Sequence, residues 1–136
     1  MAKRVEIRGE EFPLCLTVEG LERVTELCGG LGNLKNYIFG KASDAEPAEA
    51  GKAYANLVRV LGILIQEGEA NRYMEERWGD PKAERRLVPG AEELRHLLTP
   101  GESIRYRADV IQAINDGLAQ KIEAAPEKNA GGAGLG

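Results

Sequence analysis

The sequence is poor in the residues that carry most catalytic and redox chemistry. Its 136 residues include one histidine, His96, and two cysteines, Cys15 and Cys28, and only 5% of them are aromatic. The two cysteines lie thirteen positions apart, a spacing that forms neither a CxxC redox pair nor half of a zinc site. Paired glutamates such as Glu92 and Glu93 point about 100° apart on a helix and do not converge. We therefore expect a protein that is not an enzyme, with no catalytic residues, cofactor or metal.

Long hydrophobic runs are also missing. The longest apolar stretch, Leu57 to Ile65, is interrupted by Arg59 and Gly62 and is far shorter than the roughly 20 residues that span a bilayer. The first nine residues, MAKRVEIRG, contain no apolar run of the kind a secretory signal needs. No membrane partner is expected, and the free thiols predict a reducing, cytoplasmic environment.

Neither sign of charge dominates the chain. It carries 18 Lys and Arg against 22 Asp and Glu, a formal net charge of -4, with the two signs interspersed. A nucleic-acid groove needs clustered cations, and the densest basic run, Lys82, Arg85 and Arg86, is interrupted by Glu84. Nucleic acid is therefore not an expected partner.

The start of the sequence contains the alternation of polar and apolar residues that is typical of β-strands. Residues 4–8, RVEIR, alternate polar and apolar, and a second run, EFPLCL, places Phe12, Leu14 and Leu16 on one face. Two short strands joined at Gly9-Glu10 fit this pattern, with Pro13 at an edge because proline cannot donate to a ladder. We expect a short N-terminal β-hairpin.

Apolar residues at helical spacing follow the predicted hairpin. Thr17 is placed to cap a helix that begins at Val18 and ends at Gly29-Gly30. Its predicted buried stripe is Val18, Leu21, Val24, Leu27 and Cys28. A second helix is predicted from Leu34 to Phe39, after which residues 40–51 form a loop with a helix start near Ala48.

The second half of the chain also predicts helices. The longest runs from Lys52 to about Arg77 and is apolar nearly all round, as expected of a helix at the centre of the domain or against a partner. A loop over residues 79–90 precedes a short helix from Ala91 to Leu98. Thr99-Pro100 then starts a last helix, which carries Ile104, Ala108, Ile111, Ile114 and Leu118 at spacings of four, three, three and four.

The expected architecture is thus a single, mainly α-helical domain over residues 1–125 with an N-terminal hairpin, and a disordered glycine-rich tail over residues 126–136. Glycine is abundant, at 17 residues, and most glycines fall at predicted boundaries or in this tail. Gly20, Gly62 and Gly68 lie inside predicted helices, where each costs about 1 kcal/mol relative to alanine. Gly62 and Gly68 are both in the central helix, so close helix approach or a bend is expected there.

Taken in order, these segments resemble the small tail assembly chaperones of long-tailed (siphovirus-type) bacteriophages and prophages. The resemblance covers most of the chain: EIRGEEFPLCLTVEGLERVTELCGGLGNL, the central helix LVRVLGILIQEGEANR, LTPGES with ADVIQAINDGL, and the tail PEKNAGGAGLG. It implies a non-enzymatic protein that coats the tape measure protein, keeps it soluble and recruits tail tube subunits. It also implies a location in the cytoplasm of the bacterial host and absence from the mature virion.

Helix-in-groove contact would be the physical basis of such binding. The partner-binding candidates are four apolar residues of the central helix, Leu57, Leu61, Leu64 and Ile65. Self-association through the same helix is compatible with this pattern. Two alternatives stay open: a small helix-turn-helix DNA-binding regulator, since Val18 to Phe39 reads as helix, glycine turn and helix, and another small phage structural or adaptor protein.

Overall fold

The computed structural model describes residues 3–40 and 47–119, with side chains from residue 51 onward in the second range. The predicted fold class, mainly α with a short N-terminal hairpin, is confirmed. The predicted disordered tail over residues 126–136 lies outside the described residues.

The chain begins with a two-stranded antiparallel hairpin of β1 (Lys3–Ile7) and β2 (Glu10–Leu14). The turn falls at Arg8-Gly9, one residue earlier than predicted, because both residues adopt positive φ angles, 54° and 82°. Consecutive positive φ angles are typical of the two-residue hairpin turn that matches strand twist. The predicted apolar face is confirmed and buries Val5, Ile7, Phe12, Leu14 and Leu16.

Six α-helices follow the hairpin within the described residues. Their bounds are α1 (Val18–Cys28), α2 (Leu34–Phe39), α3 (Pro47–Gly79), α4 (Ala91–Leu97), α5 (Pro100–Ser103) and α6 (Arg107–Leu118). Short 3₁₀ turns at Leu31–Asn33 and Ile104–Tyr106 lead into α2 and α6.

The long helix α3 begins earlier than predicted. Part of the expected loop, residues 47–51, is helical, since Pro47 occupies the first helical position, where a missing amide does no harm, and Ala48 favours the helix. Residues 41–46 of that predicted loop lie outside the described residues.

The core is built around α3, which packs against β2, α1, α2, α4 and α6. The predicted central position of this helix is confirmed. Its deepest side chains include the four partner-binding candidates, Leu57, Leu61, Leu64 and Ile65, each 0% exposed. These side chains contribute to a single apolar cluster that also takes in the hairpin, α1, α2 and α6.

Two glycines let neighbouring backbones approach α3. A Cβ built on Gly62 would lie 2.6 Å from the Ala91 amide nitrogen, and one on Gly68 would lie 1.9 Å from the Pro13 carbonyl oxygen. Both distances are far below contact, so the close approach expected at these glycines is confirmed. The hairpin and α4 can pack on α3 only because these positions lack side chains.

The predicted stripe of α1 needs correction at its ends. Val18 is 89% exposed and Leu27 is also exposed, whereas Gly20, Val24 and Cys28 are buried. Gly20 faces α3, where a Cβ would meet the Glu67 side chain at 3.2 Å. The helix is rotated so that its smallest residue meets α3, and Val18 is left in solvent.

The segment 80–90 crosses the surface of α3 without regular structure, as predicted. It is held by the buried carboxylate of Glu69, which accepts hydrogen bonds from the Arg86 amide at 2.6 Å and from Arg72 Nη2 at 2.7 Å. The Arg86 side chain continues to the hairpin, where its Nη1 donates to the Glu11 carbonyl at 3.0 Å. Glu69 thereby joins α3, the segment 80–90 and the hairpin.

Candidate functional site: an apolar groove between α2 and α6

The last helix has apolar residues on two faces. The face that packs against the core consists of Val110, Ala113 and Ile114, preceded by Tyr106. Of the apolar residues that the sequence places at helical spacing, Ile114 is buried on this face, and Ile111 is half-buried and packs against the core. Ile104, Ala108 and Leu118 are exposed.

Polar contacts to the hairpin fix the rotation of α6. The Tyr106 hydroxyl donates to the Glu6 carbonyl at 2.7 Å, and Lys3 Nζ forms an ion pair with Asp109 Oδ1 at 3.1 Å. Both contacts join α6 to β1. They turn Val110 and Ala113 toward the core and leave the second apolar face outward.

The outward face of α6 forms one wall of a groove whose other wall is the end of α2. The groove has a volume of about 680 Å³. Its apolar lining comes from Phe39, Ile104, Ala108 and Ile111, and its polar lining from Arg107, Gln112, Asn115 and Asp116. An apolar floor with a polar rim at this scale is typical of a surface that binds another molecule.

The position of Phe39 depends on how α2 is anchored. Leu34 and Ile38 are buried on the core side, and Asn56 Nδ2 of α3 donates to the Tyr37 carbonyl at 3.0 Å. Gly40 then ends the helix at a φ of 75°. Phe39 points about 100° away from Ile38 around the helix and is left 44% exposed at the groove wall.

Arg107 connects the two walls. Its guanidinium lies 4.2 Å above the Phe39 ring, and its Nη2 donates to the Ile38 carbonyl at 3.3 Å. The Nε atom is buried and has no hydrogen-bond partner among the described residues. This cation–π and hydrogen-bond contact holds α2 and α6 at the spacing that opens the groove.

The four sequence-predicted partner-binding residues lie elsewhere. Leu57, Leu61, Leu64 and Ile65 are enclosed by the rest of the chain, so no partner reaches them while the fold stays intact. We do not include them in the groove. The predicted role in binding stays a prediction that would require the core to open.

The sequence signal for the groove is the apolar stripe of the last helix. Ile104, Ala108 and Ile111 recur at spacings of four and three, and a stripe of this kind suits core and interface equally. The spacing therefore indicates a helix but does not show whether this stripe is buried.

The reactive side chains singled out from the sequence are dispersed. His96 is exposed on α4, Cys28 is buried with its Sγ donating to the Gly30 carbonyl at 3.1 Å, and burial raises the pKa of the Cys15 thiol. Over residues 3–40 and 47–119, no group of three or more His, Cys, Asp or Glu is placed to hold a metal ion.

The helix-turn-helix interpretation meets a structural obstacle at its second helix. In α2, Leu34 and Ile38 pack into the core, and Lys35 is its one basic residue. A recognition helix presents basic and polar side chains to a groove in DNA, whereas this six-residue helix serves to place Phe39.

Comparisons with known proteins identify no relative: no known protein family, curated protein or solved structure matches the chain. Within the described part of the chain, every helix is too short or too polar to cross a membrane.

Proposed function

We propose that this protein is a tail assembly chaperone of a long-tailed bacteriophage or prophage. It binds amphipathic helical segments of the tape measure protein, keeps that protein soluble and helps to recruit tail tube subunits. It acts in the cytoplasm of the bacterial host and is left out of the mature virion. The resemblance of the sequence to that class motivates the proposal, and the groove between α2 and α6 supplies a physical means of binding.

The observation that carries the proposal is the exposed apolar stripe on α6. With its 12 residues, α6 is about 18 Å long at 1.5 Å per residue, which is about three turns of a partner helix. Ala108 and Ile111 on α6 continue the spacing of four and three that begins at Ile104 in the preceding 3₁₀ turn. This is the pattern that an antiparallel or parallel helix packs against.

The fold is suited to binding a client, here a helical segment of the tape measure protein, without catalysing a reaction. The groove walls are anchored to α3 and to the hairpin, so the stripe is presented on rigid elements. A client helix can therefore bury its own apolar face without the chaperone unfolding. Burial of that face is what removes the tendency of a long apolar helix to aggregate.

Co-expression with the candidate tape measure protein, the product of a long helical gene beside this one, tests the proposal. We expect the tape measure protein to be soluble and to copurify with the wild-type chain. Ile104→Glu should lower the soluble fraction, because it places a charge on the apolar floor of the groove.

Leu97→Glu is the matched control. Leu97 is 41% exposed and Ile104 is 40% exposed, but Leu97 lies on α4, away from the groove, so its variant should behave as wild type. Two results would overturn the proposal: an insoluble tape measure protein beside wild-type chain, or equal loss of solubility in both variants.

A further inference from the structure

Arg107 is a half-buried cation without an anionic partner among the described residues. Arg23, Arg72 and Arg86, which are buried to a similar degree, each form an ion pair with a glutamate. Arg107 has only the 3.3 Å bond from Nη2 to the Ile38 carbonyl, and its Nε is buried without an acceptor. A desolvated guanidinium with unmatched donors is costly unless something else supplies the anion.

The two carboxylates of α6 do not fill that role. Asp109 is held by Lys3 on the side of the helix that faces β1. Asp116 lines the groove but lies nine residues further along, which is about 13.5 Å at the helical rise. Among the described residues, no carboxylate therefore neutralises Arg107 at the α2 end of the groove.

A second cation, Lys35, adds positive charge to α2. Lys35 precedes Phe39 by four residues, so the two residues share a face of α2. Lys35 is exposed and forms no ion pair with the described part of the chain. The groove thus combines an apolar floor with a basic end.

We propose that the occupant of this groove is an amphipathic helix with an acidic residue at the edge of its apolar stripe, and that this carboxylate pairs with the Arg107 guanidinium. The inference rests on the proposed function, since it specifies which client helices the groove prefers. A carboxylate that arrives from the groove side can accept from Arg107 Nη1, which has no hydrogen-bond partner among the described residues, since Nε is buried and Nη2 already donates to the Ile38 carbonyl. The docked helix also excludes water, which strengthens the pair.

Two synthetic helical peptides of equal length provide the probe. Both carry leucines at positions i, i+3, i+4 and i+7, and they differ only in having Glu or Gln at the edge of that stripe. Binding to the full chain is measured by fluorescence anisotropy at low salt. We expect the Glu peptide to bind about tenfold more tightly, as one charge-assisted hydrogen-bond pair implies, and the preference to shrink as salt is added.

Variants of the chain assign the preference to one residue. Arg107→Gln should abolish it, so that the two peptides bind with equal affinity. Both should bind more weakly than to wild type, because the contact from Arg107 to Phe39 and Ile38 is also lost. Arg105→Gln, which removes an exposed arginine two residues away, should retain it. If Arg107→Gln does not fold, Arg107→Lys takes its place in the test. It should keep a reduced preference for the Glu peptide, because lysine retains the positive charge but lacks the planar arrangement of N–H donors.

The outcomes separate the two proposals. If both peptides bind with equal affinity, or if the preference survives in Arg107→Gln, the inference about the acidic residue is overturned and the groove keeps its proposed function. If neither peptide binds, the groove itself fails as a helix-binding site and both proposals are overturned.

Discussion

The buried carboxylate of Glu69 holds two arginines of the surface in place through hydrogen bonds. Its side chain is 1% exposed, and it accepts from Arg72 Nε, Arg72 Nη2 and the Arg86 amide. These hydrogen bonds, the largest contribution coming from Arg72, hold the pKa of the Glu69 carboxyl below its usual range. The carboxylate is therefore ionised, paired with Arg72 and hydrogen-bonded, which is the condition under which a buried charge is tolerated.

Glu69→Gln should destabilise the protein by about 3 kcal/mol at pH 7, since it leaves the Arg72 guanidinium partly unmatched. The folded pKa of Glu69 lies below the unfolded value of about 4.3. Its contribution is therefore complete above that value and is lost as pH falls through the folded pKa. Urea denaturation at several pH values should show the gap between wild type and variant closing below about pH 4.

Glu76→Gln is the matched control, because Glu76 also pairs with Arg72 but its side chain is 52% exposed. It should change the free energy of unfolding by less than about 0.5 kcal/mol. An equal effect of the two substitutions would contradict the role assigned to burial at Glu69.

Gly68→Ala is the sharpest test of packing at one residue. The new Cβ would lie 1.9 Å from the Pro13 carbonyl oxygen, so the hairpin must move away from α3, at a cost of about 3 kcal/mol. Gly51→Ala in the same helix meets nothing within 4 Å and should stabilise by up to about 1 kcal/mol. Chemical denaturation of both variants measures the difference. Similar stabilities would show that the hairpin does not pack on α3 as described.

Helix α1 illustrates how the start of an element is determined locally. The predicted cap is confirmed: Thr17 Oγ1 accepts from the Gly20 amide at 2.9 Å. The same hydroxyl donates to Glu67 Oε1 at 2.6 Å, which ties the cap to α3. The sequence could indicate the cap, but the tie to α3 depends on tertiary packing.

Thr17→Ala should therefore cost about 2 kcal/mol, at the upper end of the range for caps, because it removes both hydrogen bonds. Thr25→Ala in the same helix removes a hydroxyl that bonds only to the preceding turn, at Leu21 and Glu22, and should be neutral within about 0.5 kcal/mol. Thermal unfolding of the pair checks this. A neutral Thr17→Ala would show that the cap contributes little.

Helix α6 shows that the spacing of apolar residues predicts a helix but does not decide which of two apolar faces is buried. The stripe that contains Ile104 and Ala108 and the stripe that contains Val110 and Ala113 both repeat at helical spacing. Which one faces the core is decided by contacts to β1 that are distant in sequence, from Tyr106 to Glu6 and from Asp109 to Lys3. The sequence therefore predicted a helix here, but neither its buried face nor the 3₁₀ turn at Ile104–Tyr106 that interrupts it.

Across the molecule, local signals predicted the elements and tertiary contacts determined the site. The hairpin, α1, α2 and the central α3 follow from alternation, caps and glycine stops, and the close approaches at Gly62 and Gly68 were expected. The groove could not be predicted, because it exists only where the end of α2 comes beside the outward face of α6. Burial of the candidates on α3 follows from the same packing, which places other elements around that helix.

Hydrogen exchange of the full chain, alone and in soluble complex with the tape measure protein, tests the central claim that the groove between α2 and α6 is the client-binding site. Read by mass spectrometry, amides of residues 34–40 and 104–118 should exchange about tenfold more slowly in the complex, since the client suppresses local opening there. Amides of the hairpin and of residues 80–90 should be unchanged. Protection confined to those other segments, with none on α6, would contradict the account.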